Sequence, residues 1–390
     1  MHVDAGALAD LARGSAILGS GGGGPADVTV PVAGQAIEEC GPVRVVDPAA
    51  LPPGARVMPV GLVGSPAVAA ERPGGRDEPA RLRDRFEALH GAPVAAVMSS
   101  EIGGLNACVA VAWAARLGLP LLDADSMGRA FPRMDQNVLE LAGLRPGPAV
   151  LMDEHGHTVV IDDVDGAHLE QFARVAVVAF GGRAVSTDYP LTAGQAARHA
   201  VAGSVTRALG LGRGEEPAPL LTGKISSVRR YATEDADGDD ATAVLLEGTG
   251  PDSGRMVLVE ARSEFVAALE DGVPLAVVPD VIALVDATTG WAVPVEEIRY
   301  GLRVRLITLR SDPVWYTPRG LRLAGPRAFG LDGLGGLDGL DGLDGLAPAA
   351  GARTPGGHGS RAFGPDGPAL ATEPRTPGGA GPRRPPGGTP

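Results

Sequence analysis

Up to about residue 210, short apolar runs alternate with longer stretches of helical period. The pattern predicts helices over 4–18, 81–90, 105–117, 169–178 and 193–209, the last with Thr192 as N-cap. It predicts strands over 43–46, 57–63, 94–98, 119–122, 149–152 and 159–161. In the stretch 105–117 only Asn106 and Arg116 are polar, so that helix is expected to be buried on most faces. Strands interleaved with helices argue for an α/β domain with a largely parallel or mixed sheet.

The pattern changes after Gly210. Residues 211–217 read as a linker, and β-type runs follow at 225–231, 243–246, 256–259, 275–278, 281–285 and 302–309. Turn residues separate them, as at Asp237-Gly238-Asp239 and Thr289-Gly290. The expected organisation is an α/β domain over 1–210, a smaller β-rich domain over 218–332 and a Gly/Pro-rich tail over 333–390. Leu-Asp-Gly occurs three times over 337–345. A calcium-binding reading of it has the wrong period for the known repeat type. The tail buries too little apolar surface to offset its ordering entropy and is expected to be disordered.

Composition narrows the function classes. The net charge of -13 argues against nucleic-acid or anionic-membrane partners. Two cysteines, Cys40 and Cys108, make neither a disulfide framework nor a zinc set. The N-terminal residues lack a signal-peptide pattern, and no uncharged apolar stretch is long enough to span a bilayer. A cytoplasmic protein is expected, and a homo-oligomer stays open.

Candidate chemistry gathers where predicted strands end, the place where open α/β sheets bind ligands. The run 121–132 ends in Asp123 and Asp125, followed by Gly128-Arg129. Alternation puts both carboxylates on one side of the chain, where they need a cation, a shared proton or Arg129. The alternative is a loop whose aspartates cap a turn. Ser99–Asn106 joins a buried strand to a buried helix. There Gly103 and Gly104 would offer N–H groups to a ligand oxygen, and Glu101 suits acid/base work, metal binding or simple helix capping. The loop Ser20-Gly21-Gly22-Gly23-Gly24 is either a ligand cradle or a flexible turn. Glu71 is a site residue or a solvated loop acid. His155 and His157 flank Gly156 as a possible chelate or a plain hairpin turn. Cys108 reads as a packed thiol. A divalent metal is the one cofactor these carboxylates admit, and no motif demands it.

Three N-terminal segments resemble one family: Leu18–Gly24, Glu101–Asn106 and Asp123–Pro132. The second half is similar at Gly223-Lys224-Ile225, Pro279–Ile282, Arg299-Tyr300-Gly301 and Gly325–Gly330. They look like the S-methyl thiohydantoin desulfurase-like family, over roughly residues 5 to 332. One departure is Ser263-Glu264, where Asn-Glu is the expected pair. The resemblance implies an α/β domain, a β-rich domain and a small cyclic ureide-like substrate. In the implied reaction, water replaces a thiolate at the ring carbon between two nitrogens. It further implies Glu101, Asp123 and Asp125 as catalytic groups. Ser20, Gly21, Gly22, Gly23, Glu71, Gly103, Gly104, Asn106 and Arg129 are then the substrate contacts. A non-catalytic partner of a hydantoinase/oxoprolinase-type enzyme, and a small-molecule binding protein, are the alternatives.

Overall fold

A computed structural model describes residues 1–232 and 240–331. The expectations for Asp237-Gly238-Asp239 and for the tail from 333 lie outside the described residues. The first sheet is mixed. Its centre is four parallel neighbours in the order Val43–Val46, Leu121–Asp125, Val94–Ser99, Arg56–Gly64. Arg183–Thr187, Ala149–Met152 and Thr158–Ile161 continue it antiparallel on one side, and His2–Val3 adds an edge on the other. The all-apolar runs among these strands are buried on both faces, as the central position requires.

Helix Asn106–Leu117 is buried over ten of its residues and fills one face of the sheet. Helix Ala5–Leu18 lies against Ser204–Gly212. A side chain at Gly14 would run into the carbonyl of Ala208, so glycine is what lets these two backbones approach. Each fully buried Leu or Ile here, such as Leu11 and Ile17, contributes roughly 1.5–3 kcal/mol through burial.

Several elements differ from the sequence expectation. The helix expected over 193–209 is two helices, Ala193–His199 and Ser204–Gly212. Between them Val201–Ala202 pairs antiparallel with Leu121–Asp125, and Gly203 turns the chain at φ 73. Residues 211 and 212 complete the second helix rather than open a linker. A helix at Val30–Cys40 was not among those expected, and it carries Pro31. The proline sits in the first turn, where the missing N–H is not needed.

The second sheet is seven-stranded and wholly antiparallel. Its order is Val273–Val277, Phe265–Glu270, Met256–Ala261, Asp240–Gly248, Leu221–Ala232, Arg303–Leu309, Val281–Asp286. Phe265–Glu270 is the strand the hydropathy pattern did not separate from its neighbours. Among the described residues no helix is long and apolar enough to cross a membrane.

Candidate functional site

The glycine loop after helix Ala5–Leu18 is the seam between the two sheets. Ser20 is fully buried. Its hydroxyl donates to the Ile282 carbonyl at 2.9 Å and accepts the Ile282 N–H at 3.1 Å. The Phe265 N–H donates to the Ser20 carbonyl at 2.7 Å, and the Val295 N–H to that of Gly21 at 2.9 Å. Ser20 and Gly21 therefore fasten the second sheet to the first and do not face the main cavity. They were expected as substrate contacts, and the structure places them at the seam, away from the lining of the cavity beyond it.

Beyond this seam the loop roofs a cavity of about 260 Å³. Gly22, Gly23, Glu101, Asn106, Asp188 and Glu264 all line it. A side chain at Gly22 would collide with the Glu264 carboxyl. One at Gly23 would come within 2.8 Å of Glu101 Oε1. Successive glycines thus let two carboxylates, one from each half of the molecule, press against the same backbone.

Glu101 is buried, and its Oε1 has no hydrogen-bond partner among the described residues. Burial raises its pKa well above the usual carboxylate range, and the charges of Glu264 and Asp125 add to the rise. Arg129 and the Asn106 amide pull the other way. Asn106 is oriented by the Leu62 N–H, which donates to its Oδ1 at 2.8 Å, so its NH₂ end is turned to the Glu101 carboxyl at the cavity wall. Asp188 follows the buried strand Arg183–Thr187, and burial pushes it up to about 7. Arg133 and Arg174 supply positive charge at the wall. Arg133 lies against Asp135 at 2.7 Å and Arg174 against Glu170 at 2.6 Å.

The strand-end aspartates behave differently. Asp123 Oδ1 accepts the Thr206 N–H at 2.9 Å and its Oδ2 accepts the Thr206 hydroxyl, so this carboxylate caps the helix Ser204–Gly212. Asp125 is fully buried; its Oδ2 accepts the N–H groups of Ile102, Met127 and Gly128 at 3.0, 3.1 and 2.7 Å. Thr206 holds Asp123, and three backbone N–H groups hold Asp125 Oδ2, while Asp125 Oδ1 is buried with no hydrogen-bond partner among the described residues. Neither aspartate lines the cavity. Asp125 instead ties the Glu101 loop to the Met127-Gly128 turn, and burial raises it to about 6.

Other expected contacts also lie away from the cavity lining. Arg129 is fully buried and donates to the carbonyls of Ala130, Pro279 and Asp280. It is a buried countercharge bridging the two halves rather than a cavity residue. The Gly104 N–H is taken by the Ser15 carbonyl at 2.8 Å, and a side chain at Gly103 would strike Ala130. Close packing, not ligand contact, explains both glycines. Glu71 is exposed at the end of Pro66–Glu71 and lines none of the main cavity. His157 Nδ1 lies 2.7 Å from Asp153 Oδ2 in the hairpin turn. Among the described residues no three His, Cys, Asp or Glu side chains come together to hold a metal ion.

Asp188 and Glu264 were not singled out from the sequence. The only sequence indication of Glu264 was its place beside the Ser263 departure.

Fold and site together define a two-domain protein with an acid-lined cavity where an α/β domain meets an antiparallel β domain. The chain belongs to the S-Me-THD-like family: the model for the family's N-terminal domain matches residues 6–163, and that for its C-terminal domain matches 164–334. A crystal structure of a protein from Chromobacterium violaceum has the same fold, with a TM-score of 0.67 and 24% identity over 86% of this chain and 98% of that one. No curated protein matches the chain.

Proposed function

We propose that the protein is a hydrolase for a thiohydantoin-like ring, in which water displaces a thiolate at the ring carbon between two nitrogens. The family supplies the reaction class, and one observation supports it most. The cavity holds carboxyl groups removed from water whose proton affinities differ: Glu101 is held well above the usual range, and Asp188 lies near 7. A pair so tuned divides acid and base roles at neutral pH.

Asp188 takes a proton from the attacking water as the C–O bond forms. Protonated Glu101 gives its proton to the departing sulfur as the C–S bond breaks. The Asn106 NH₂ group holds a ring oxygen or nitrogen, and the glycine roof keeps bulk water from the reacting carbon. Glu264 acts on Glu101 by keeping it protonated. The products are the oxo ring and one thiol, and the two carboxyl groups exchange protons through solvent to reset.

The test is incubation with an S-methyl thiohydantoin in H₂¹⁸O. Stoichiometric methanethiol and one ¹⁸O in the hydantoin product support the reading. No thiol above the uncatalysed rate sinks it.

The partner reading has its own supporting observation. Phe172, Val175 and Val178 on helix Gly166–Ala179 are 48%, 70% and 78% exposed. An apolar face of this kind suits a docked protein. Absence of thiol release, together with an association with a hydantoinase-type enzyme that Phe172→Glu abolishes, would favour it.

A further inference from the structure

A second cavity, of about 280 Å³, shares Leu62, Ala69 and Leu105 with the wall of the first. It has no part in the chemistry above. Helix Asn106–Leu117 gives it Cys108, Val109, Ala112 and Trp113. Its mouth carries Val28 and Val32, each 37% exposed. The Cys108 thiol is pushed up to about 12 by burial, so it is an apolar wall atom rather than a nucleophile.

One end is polar. Arg183, 3% exposed, donates from Nη1 and Nη2 to both oxygens of Glu78 at 2.8 and 3.0 Å. Arg183 lines that end of the cavity, and its Nε N–H is buried with no acceptor among the described residues. A buried donor without a partner is destabilising, and a ligand acceptor would satisfy it.

We propose that this cavity is a second ligand site, for a small neutral aromatic molecule carrying one hydrogen-bond acceptor such as a carboxamide oxygen. The size excludes a peptide helix, whose diameter is about 10 Å, and falls near the small end of ligand pockets, at roughly 300 Å³. Trp113 and the valines favour a flat apolar body. Neutrality follows from Glu78, which already compensates Arg183 and would repel a second carboxylate beside it. Arg76 and Arg116 at the rim are both engaged by Glu39. A cation finds only paired carboxylates there.

The test is isothermal titration of the full chain with 2-naphthamide, with 2-naphthoate as the charged control. One amide per chain is expected with Kd below about 1 mM, and the carboxylate about tenfold weaker or worse. Val109→Phe fills the cavity from within, and Val32→Trp narrows its exposed mouth without touching the core. Each is expected to raise Kd about tenfold. Glu101→Gln, in the first cavity, is expected to leave Kd unchanged. No binding, tighter binding of the carboxylate, indifference to both valine variants, or loss of binding in Glu101→Gln each overturns the proposal.

Discussion

The two strand-to-helix crossings at the centre of the first sheet look alike in sequence and end up with opposite duties. At Ser99–Asn106 the acid, Glu101, leaves the backbone behind and enters the cavity with an oxygen that no described residue satisfies. At Asp123–Pro132 both acids accept N–H groups, one at Thr206 and the other, through Oδ2, at Ile102, Met127 and Gly128; Asp125 Oδ1 also lacks a partner among the described residues, but neither aspartate lines the cavity. The difference lies in side-chain length and in the supply of local donors. A short aspartate beside a turn is captured by the turn's own N–H groups. The longer glutamate, in a loop whose Gly104 N–H is already taken by Ser15, is not. An acid at a strand end is thus a catalytic candidate only when the local backbone leaves it alone.

This contrast can be broken by substitution. The largest effect is expected from Glu101→Gln, which keeps shape but removes the proton donor: kcat falls about 10²–10⁴-fold, with the urea midpoint unchanged or raised. Steady-state thiol release and urea titration on one preparation check both halves. Asp125→Ala comes next. It leaves three buried N–H groups without their acceptor and is expected to cost about 3 kcal/mol or more of stability, read as a lowered urea midpoint; its effect on turnover follows from displacing the Glu101 loop.

A third prediction concerns pH. Asp188 is held up to about 7 in the folded chain, against an ordinary 3.8. Its protonated form therefore favours folding. That contribution is complete below about pH 4 and is lost as pH rises through about 7. Urea midpoints are expected to fall across this window, and Asp188→Asn to flatten the fall and raise the midpoint at pH 8. The smallest effect is expected for Asp123→Asn. Its Oδ1 can still accept the Thr206 N–H, so stability drops by about 1 kcal/mol and turnover stays within about twofold of wild type.

Much of the frame was legible in the sequence, because long apolar runs and buried helices leave an unambiguous period. The strand Val94–Ser99, the helix Asn106–Leu117 and the acid between them were read from pattern alone. What escaped had physical causes. Asp188 follows a strand, Arg183–Thr187, that mixes Ser and Thr with Ala and Val and so shows no apolar run. Glu264 meets Glu101 only because Ser20 locks the glycine loop onto Ile282, a contact across 262 residues. The place of Ser20 and Gly21 at the seam was hidden for the same reason: a glycine loop looks identical from sequence whether its backbone faces a ligand or a second sheet. The helix expected over 193–209 failed after His199, where pairing of Val201–Ala202 with the Leu121–Asp125 strand overrides helical period.

The most direct measurement sets Glu101→Gln beside Asp123→Asn, with thiol release and urea midpoint recorded for each. Activity and stability should separate. The glutamate variant is expected to be folded and nearly inactive, and the aspartate variant slightly less stable and active. A Glu101→Gln protein that releases thiol at the wild-type rate, or an Asp123→Asn protein that is fully stable yet inactive, would contradict the division of duties drawn from the two crossings.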